Sequence, residues 1–407
     1  MAAVLTRILG FHNLDIAEEL VQDTLLTALQ VWGFRGVPRN PAAWLMTAAR
    51  NRAIDHIRRE RSRLRASEDL QQQLRSGWTL SDTVSREFEE SRIRDHLLRM
   101  IFTCCDPRLP LEDQVALTLK FPGGFSSAEI AAALLCEEEA IRKRVYRARL
   151  RLREDRDAFQ MPPDSEVPAR LDAVLQVVYL VFNEGYKSAE GESLIRAELC
   201  EEAIRLGSLL ADHPACARPP TFALLALMHF QAARLPARTY EDGSICQLEQ
   251  QDRSAWDPAL IANGFRFLDL SADGLELTRY HVEAAIAACH CGVQSFEQTD
   301  WPLIVSLYGK LVSIYDTPIV RLNRAIAVGF AQGPRAAIQE LQGLQDDGAL
   351  ARYYLLPASL GEFQMKAGEL ARARASFQQA AELCRSPAER DFLSRRIERC
   401  AAQTGAD

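Results

Sequence analysis

The stretch FSSAEIAAALLCEEEAIRKRVYRARLRLR, Phe125 to Arg153, decides how the rest of this 407-residue chain is read. Ser126 or Ser127 offers a capping hydroxyl to a helix whose Ile130, Ala133 and Leu134 share one face. A break is expected near Leu135-Cys136-Glu137, with a second helix after it. In that helix Ile141, Val145, Ala148 and Leu152 fall at i, i+4, i+7 and i+11, the spacing of a buried stripe. Lys143, Tyr146 and Arg147 point the other way, and Arg142 and Arg144 lie on the flanks. Glu137, Glu138 and Glu139 crowd the N-terminal end and arginines follow, a distribution that the helix dipole favours. Two short helices, a tight turn and a basic outward face form the pattern of a helix-turn-helix whose second helix enters the DNA major groove. The competing reading is a solvated basic helix on the surface of a bundle.

Composition sets the frame around this stretch. A chain of this length with 48% hydrophobic residues can bury two or three cores. The net charge of −7 is unevenly divided. Up to Gln160 there are 25 Lys and Arg against 23 Asp and Glu, a balance of +2, and the remainder carries −9. A basic front joined to an acidic back suits DNA binding at one end and another task at the other. The apolar runs are too short and too interrupted for a membrane helix, and nothing has the form of a signal peptide. The ten cysteines have no CxxC spacing and read as reduced thiols of a cytoplasmic protein, Cys104-Cys105 as small core residues. Cys289-His290-Cys291 with His281 can be drawn as a metal site, but the spacing is poor for zinc, so no metal or cofactor is expected.

Towards the N-terminus, residues 3–32 carry helical periodicity broken around Gly10 to Asn13. Asp15 is expected to cap the second helix, with Ile16, Leu20, Leu26 and Leu29 inward and Glu18, Glu19, Gln22 and Asp23 free outside. Asn40-Pro41 opens a third helix, Ala42 to about Arg61. Its front is Trp44, Leu45, Ala48 and Ala49; its back carries Arg50, Arg52, Arg58, Arg59, Arg61, Arg63 and Arg65. With Trp44 and the amide of Asn51 upstream, that run fits a phosphate-tracking surface beside an opened strand, or equally a solvated helix end. Ser67 to Thr83 reads as a linker, Phe88 to Cys105 and Leu111 to Lys120 as helices, and Gly123-Gly124 as a turn.

Three segments carry a resemblance: AEELVQDTLLTAL from Ala17, NPAAWLMTAARNRAIDHIRRE from Asn40, and Ile93–Arg153 with its helix-turn-helix. In that order they resemble regions 2 and 4 of extracytoplasmic-function (ECF) sigma factors, the promoter-recognising subunits of bacterial RNA polymerase. The resemblance covers about 150 residues. It implies that Glu19, Gln22 and Asp23 contact the polymerase clamp helices. It likewise implies that Asn51, Arg58, Arg59, Arg61 and Arg63 hold the opened −10 strand, and that Arg142, Lys143, Arg144 and Arg147 lie at the −35 major groove. Two positions depart from the pattern: Glu137 stands where such turns often carry proline and Ala140 where they often carry threonine. The first helix also looks short for the family.

Pro162-Pro163 and Pro168 mark a boundary, after which the chain reads as amphipathic helices. Leu360-Gly361, Gly368, Ala373, Phe377 and Ala380 match tetratricopeptide spacing, with Gln364 at the tyrosine position and the closing proline displaced to Pro387. Small residues there let two helices approach while Phe377 fills the next groove. Glu201 to Pro214 and Asn323 to Leu341 look like degenerate units, and Asp242-Gly243 like a hairpin turn. Asn183-Glu184-Gly185-Tyr186 and Gln251 to Asp257 are unusually polar and aromatic. They read either as a buried ion-pair network locking irregular repeats or as a groove for a peptide or small ligand. Both stretches, and the RYHVEAAIAACH run from Arg279, resemble the ECF subgroup with a long tetratricopeptide-like extension, which implies a regulatory role for Asn183, Glu184, Asp252, Arg253, Trp256 and Asp257.

The expected fold is all-α: a region 2 domain (1–66), a linker (67–87), a region 4 domain (88–157), a second linker (158–168) and a helical repeat domain (169–401). No paired carboxylates in a cleft, nucleophile-base pattern or glycine-rich phosphate loop suggests an enzyme. The expected partners are core RNA polymerase, promoter DNA and a regulatory protein or ligand on the extension, without a membrane. A conventional helix-turn-helix regulator with a helical sensor domain is the alternative.

Overall fold

The computed structural model describes residues 1–64, 84–134, 136–153, 159–163, 165–188, 194–238, 240, 246–384 and 387–404. The described residues form helices and turns, with no strand among them. The linker expected at Ser67 to Thr83 and the Asp242-Gly243 turn fall outside them. The chain divides into two compact units, 1–181 and 182–407.

The first unit begins with α1 (Ala2–Leu9), α2 (Leu14–Arg35) and α3 (Pro41–Leu64). Asn40 accepts from the Ala43 N–H at 3.0 Å and so caps α3, whose Pro41 needs no donor there. Leu5, Ala17, Leu20, Ala49 and Ala53 form the core of the three helices, the alanines letting the backbones approach. Then follow α4 (Glu90–Cys104), α5 (Leu111–Lys120), α6 (Ser127–Ala133) and α7 (Glu138–Arg153). The division between units falls within α8 (Val167–Ser188). Cys104 and Cys105 are buried in the core, and burial pushes the Cys105 thiol up to about 12.

The structure corrects the expected facing of α2. Its buried positions are Leu14, Ala17, Leu20, Thr24 and Ala28. Leu26 stands two residues from both Thr24 and Ala28, hence on the opposite side of a 3.6-residue helix. Leu26 is 57% exposed and Leu29 71%. Asp15 is not the cap either: α2 starts at Leu14, and Asp15 sits in its first turn. Glu18, expected to be free, is bound to Lys120 at 2.7 Å.

The second unit is a succession of helices packed on their neighbours. They are α9 (Leu194–Ala211), α10 (Pro219–Ala233), α11 (Pro258–Ser271), α12 (Arg279–Cys291), α13 (Trp301–Ile314), α14 (Pro318–Gln332), α15 (Pro334–Gln342), α16 (Leu355–Lys366), α17 (Leu370–Leu383) and α18 (Pro387–Thr404). Asp257, Asp300 and Thr317 each cap a helix whose first turn holds a proline. Gly361 faces the Phe377 ring, where an added Cβ would stand 2.8 Å from it, so the groove-filling expected of Phe377 is what the helices do. Gly329 receives Phe363 in the same way, at 2.3 Å for an added Cβ. Gln364, at the tetratricopeptide tyrosine position, is buried and accepts from Ser376 Oγ at 2.8 Å.

Candidate nucleic-acid interface

The cap of α6 is Ser126, which settles the choice between the two serines. Ser126 Oγ accepts from the Glu129 N–H at 3.2 Å, and the Ser126 N–H donates to Glu129 Oε2 at 2.7 Å. This reciprocal box satisfies two donors at the helix start, and the Ser126 bonds hold the Glu129 carboxyl below its usual range. After the turn, Ile141, Val145, Ala148 and Leu152 of α7 are all buried, the stripe that the spacing implies. Each of the larger three contributes about 1.5–3 kcal/mol of burial.

That burial fixes the rotation of α7 and so aims its charges. Arg142, Lys143, Tyr146 and Arg147 are exposed together. Arg142 reaches Glu138 at 2.6 Å and Lys143 reaches Glu139 at 3.7 Å, both i,i+4 pairs on an open surface. Such pairs are worth only ~0.3–0.5 kcal/mol, so both side chains can turn to a phosphate or a base. Arg144 is placed differently: its guanidinium turns to Glu112 of α5 at 2.9 Å. Arg149 is largely buried between helices, bonded to Asp15 and lying 3.8 Å from Glu18.

On α3, Asn51, Arg58 and Arg59 are exposed, while Arg52 turns inward to Thr27 and to Asp23 at 3.7 Å. Arg61 and Arg63 belong to the same helix, but their side chains lie outside the described residues. Trp44 meets Trp32 of α2 edge to face at 5.5 Å, fixing the start of α3 against α2. On α2, Glu19, Gln22 and Asp23 are exposed, with Asp23 engaged by Arg52. Leu25, Leu26 and Leu29 continue that outward surface, and Phe34 and Val37 are exposed beyond it. These apolar positions are the feature that sequence reasoning misses; the signal is the angular offset of Leu26 and Leu29 from Ala17, Leu20 and Thr24.

In the second unit, Asn183 and Glu184 are half-buried in α8. Arg238 stacks over Tyr186 at 4.0 Å and donates to the Tyr186 carbonyl at 2.6 Å. Asp252 accepts from the Ser254 N–H at 2.9 Å, and Asp257 from Ala259 and Leu260 at 2.8 and 3.0 Å. Arg253 donates to the carbonyls of His290 and Val293 and to Thr299 Oγ1 at 2.7, 3.1 and 2.9 Å. Buried Trp256 lies between Arg253 and Arg234, at 5.1 and 5.3 Å. The same segment reaches the last helices, where Gln247 accepts from Arg396 at 2.6 Å and Glu249 binds Lys366 at 2.6 Å. Residues 246–257 are thus a strap, fastened by carbonyl acceptors and ring stacking as well as by ions.

Cys289, His290 and Cys291 share α12 with His281. Burial, with Arg234 and Arg253 nearby, pushes His290 down to about 3, and its ring packs edge-on against Trp301 at 5.3 Å. Among the described residues no helix is long and apolar enough to cross a membrane.

Comparison with known proteins matches three segments of the chain. The Sigma-70 region 2 family matches residues 2–63, Sigma-70 region 4 matches 99–152, and a family of unknown function, DUF6596, matches 170–272. An uncharacterized protein of Rhizobium meliloti (strain 1021), R00370, is 36% identical over 401 residues, 97% of this chain and 92% of its own length. The ECF RNA polymerase sigma factor EcfG of Rhodopseudomonas palustris is 34% identical over 141 residues, 34% of this chain and 71% of its own. BldN, an ECF RNA polymerase sigma factor of Streptomyces coelicolor, is 32% identical over 133 residues, 32% of this chain and 47% of its own. No solved structure matches the chain. With both sigma regions in order and EcfG matched over 71% of its length, the chain belongs to the ECF RNA polymerase sigma factor family.

Proposed function

We propose that this sigma factor binds core RNA polymerase through α2, holds the −10 strand with α3 and reads the −35 element with α7. The observation that carries the reading is the outward surface of α2, where Glu19 and Gln22 adjoin Leu25, Leu26 and Leu29. Adjoining exposed leucines beside Glu19, Gln22 and Asp23 mark a partner site, and a duplex-binding regulator has no use for them. Asn51, Arg58 and Arg59 supply the single-strand surface, an amide and cations along one helix. Arg142, Lys143 and Arg147 supply the major-groove surface, where Arg or Lys to guanine is the commonest specific contact. Reconstitution of the chain with core polymerase and mapping of transcript starts tests this. Promoter-specific starts that depend on the chain support it; duplex binding that is unaffected by core polymerase favours a conventional helix-turn-helix regulator.

The extension is a tetratricopeptide-like regulatory domain in this reading, supported by the Gly361–Phe377 and Gly329–Phe363 packing and by its acidic charge. An acidic domain on the same chain is present at high local concentration beside basic DNA-binding surfaces. Asn183, Glu184, Asp252, Arg253, Trp256 and Asp257 act here through the strap and its neighbours, whose fastening sets the shape of the domain. Arg253→Ala with Trp256→Ala loosens the strap and changes promoter output, measured against core-polymerase binding by the same protein. Unchanged output from a folded double variant would remove the strap from the regulatory account.

A further inference from the structure

Where the strap meets the ends of α10 and α12, positive charge gathers without a counter-ion. Arg234, immediately after α10, and Arg253 of the strap both lie over the ring of buried Trp256, their guanidinium carbons 5.3 and 5.1 Å from its centre. His290 of α12 adjoins them, since Arg253 donates to its carbonyl at 2.7 Å. Arg253 spends its two Nη groups on that carbonyl, on the Val293 carbonyl and on Thr299 Oγ1. Its Nε is left without an acceptor. So are Arg234 Nε, Trp256 Nε1 and His290 Nδ1, and all four nitrogens are buried.

An indole nitrogen and an arginine Nε can only donate, and a folded chain ordinarily gives such buried donors an acceptor. The ionic side is as unbalanced. Among the described residues neither arginine forms an ion pair, although the chain beyond Gln160 carries −9 and has carboxylates to spare. Glu297 attracts Arg253 only from the exposed surface. Cys291 supplies no charge either, because burial pushes its thiol up to about 11. Burial, and then Arg234, hold Arg253 below the ordinary arginine value, so the two cations repel one another. Stacking on Trp256 accounts for the guanidinium planes, but it satisfies none of the four nitrogens and brings two like charges together.

We propose that Arg234, Arg253, Trp256 and His290 form a binding site for a phosphoryl dianion, either inorganic phosphate or the phosphate of a small phosphomonoester. Charge selects the class. With His290 neutral, two guanidiniums call for two negative charges; a phosphate group near neutral pH carries about −1.5 to −2, and a single carboxylate only one. The acceptors agree, since three strong phosphate oxygens stand against the unpartnered nitrogens. His290 joins as a donor in the tautomer that carries its proton on Nδ1. Both arginines are only partly buried, which leaves a way in from solvent. The guanidinium of Arg234 has no hydrogen bond among the described residues, so it can swing to the ion. Once bound, the ion ties the strap to α10 and α12. The site stands apart from the promoter reading, because neither polymerase nor DNA enters its chemistry.

The test follows the Trp256 indole by nuclear magnetic resonance in the full, isotope-labelled chain. Its signal is the one of five tryptophan resonances that disappears in Trp256→Phe. Inorganic phosphate, glycerol phosphate and acetate are titrated separately, at constant ionic strength made up with chloride. Phosphate or glycerol phosphate should move the signal along a saturating curve, with half-saturation at about 1 mM or below. The tighter of the two names the source. Arg234→Met should weaken that binding at least about tenfold, because one of two charge-assisted partners is gone, and should keep a cooperative melt. Should Arg234→Met not fold, Arg234→Lys, which keeps the charge and loses the planar fork, is read by the same curve and should also weaken binding. No saturating change with either phosphate, an undiminished one in the Arg234 variant, or acetate bound as tightly as phosphate overturns the site.

Discussion

Helices α7 and α2 are both amphipathic, yet they spend their apolar residues differently. In α7 the apolar stripe is buried to the last member and the outward face is mainly charged, with Tyr146 and Leu150 among the cations. In α2 the buried face is narrow, with Leu14 and Leu20 beside the smaller Ala17, Thr24 and Ala28, while Leu25, Leu26 and Leu29 are exposed. A helix that reads DNA needs cations outside and only has to be held from behind. A helix that docks on protein must keep part of its hydrophobic surface for the partner and settle for a thinner core contact. If α7 reads DNA and α2 docks on polymerase, as proposed, the difference separates a nucleic-acid face from a protein face within one unit.

The sharpest break in that comparison is at Ile141. Ile141→Ala removes a wholly buried side chain from the back of α7 and should destabilise the first unit by about 2–5 kcal/mol, read as a lowered denaturation midpoint. Stability within about 0.5 kcal/mol of wild type, the range of ordinary surface substitutions, would mean that the stripe does not seat the helix. Next comes the outer face. Arg142→Ala with Arg147→Ala should leave melting and core binding intact and abolish −35-dependent transcription, since each specific base interaction is worth about 1–3 kcal/mol. Steeper loss at higher salt would mark the remaining interactions as phosphate contacts. On α2, Leu26→Ala with Leu29→Ala should leave the midpoint unchanged, because these side chains are already in water. Affinity for core polymerase should fall about tenfold, as for interface positions of ordinary weight. A loss of stability there would show that the leucines belong to a fold contact and not to a docking surface.

How far the sequence reveals each helix follows from where its partners are. The α7 stripe and the Ser126 cap are local: three or four residues of spacing decide them, and either serine is in range. The Gly361–Phe377 groove is legible because small and large residues recur at repeat spacing. Hydrophobicity alone places Leu26 and Leu29 inward, whereas their angular offset from Ala17, Leu20 and Thr24 turns them out to solvent. Arg149 cannot be distinguished from its neighbours on α7, since its partner Asp15 is 134 residues away in sequence. The same holds for Arg144 with Glu112 and for the strap, whose Gln247 finds Arg396 149 residues later. Long-range pairing of like-looking charges leaves no period to count.

The smallest expected effect tests the turn that separates the two helices of the motif. Ser126→Ala removes the cap of α6 and should cost about 1 kcal/mol. Its pH dependence isolates what the hydroxyl does to the Glu129 carboxylate, since alanine keeps the Ser126 N–H that donates to it. Glu129 is held below the ordinary carboxylate range by the backbone and hydroxyl of Ser126, so its folded pKa lies under its unfolded one. A depressed carboxyl contributes stability that is fully present above the unfolded value and is lost as pH falls through the folded one. The gap between wild type and Ser126→Ala should therefore be constant near neutral pH and narrow on acidification below the usual carboxylate range. A gap that stays constant down to the acid limit of folding would mean that the carboxylate is held by the Ser126 N–H, which alanine keeps, and owes nothing to the hydroxyl. Since Glu129 is exposed, the narrowing should also be the part of the effect that added salt weakens most.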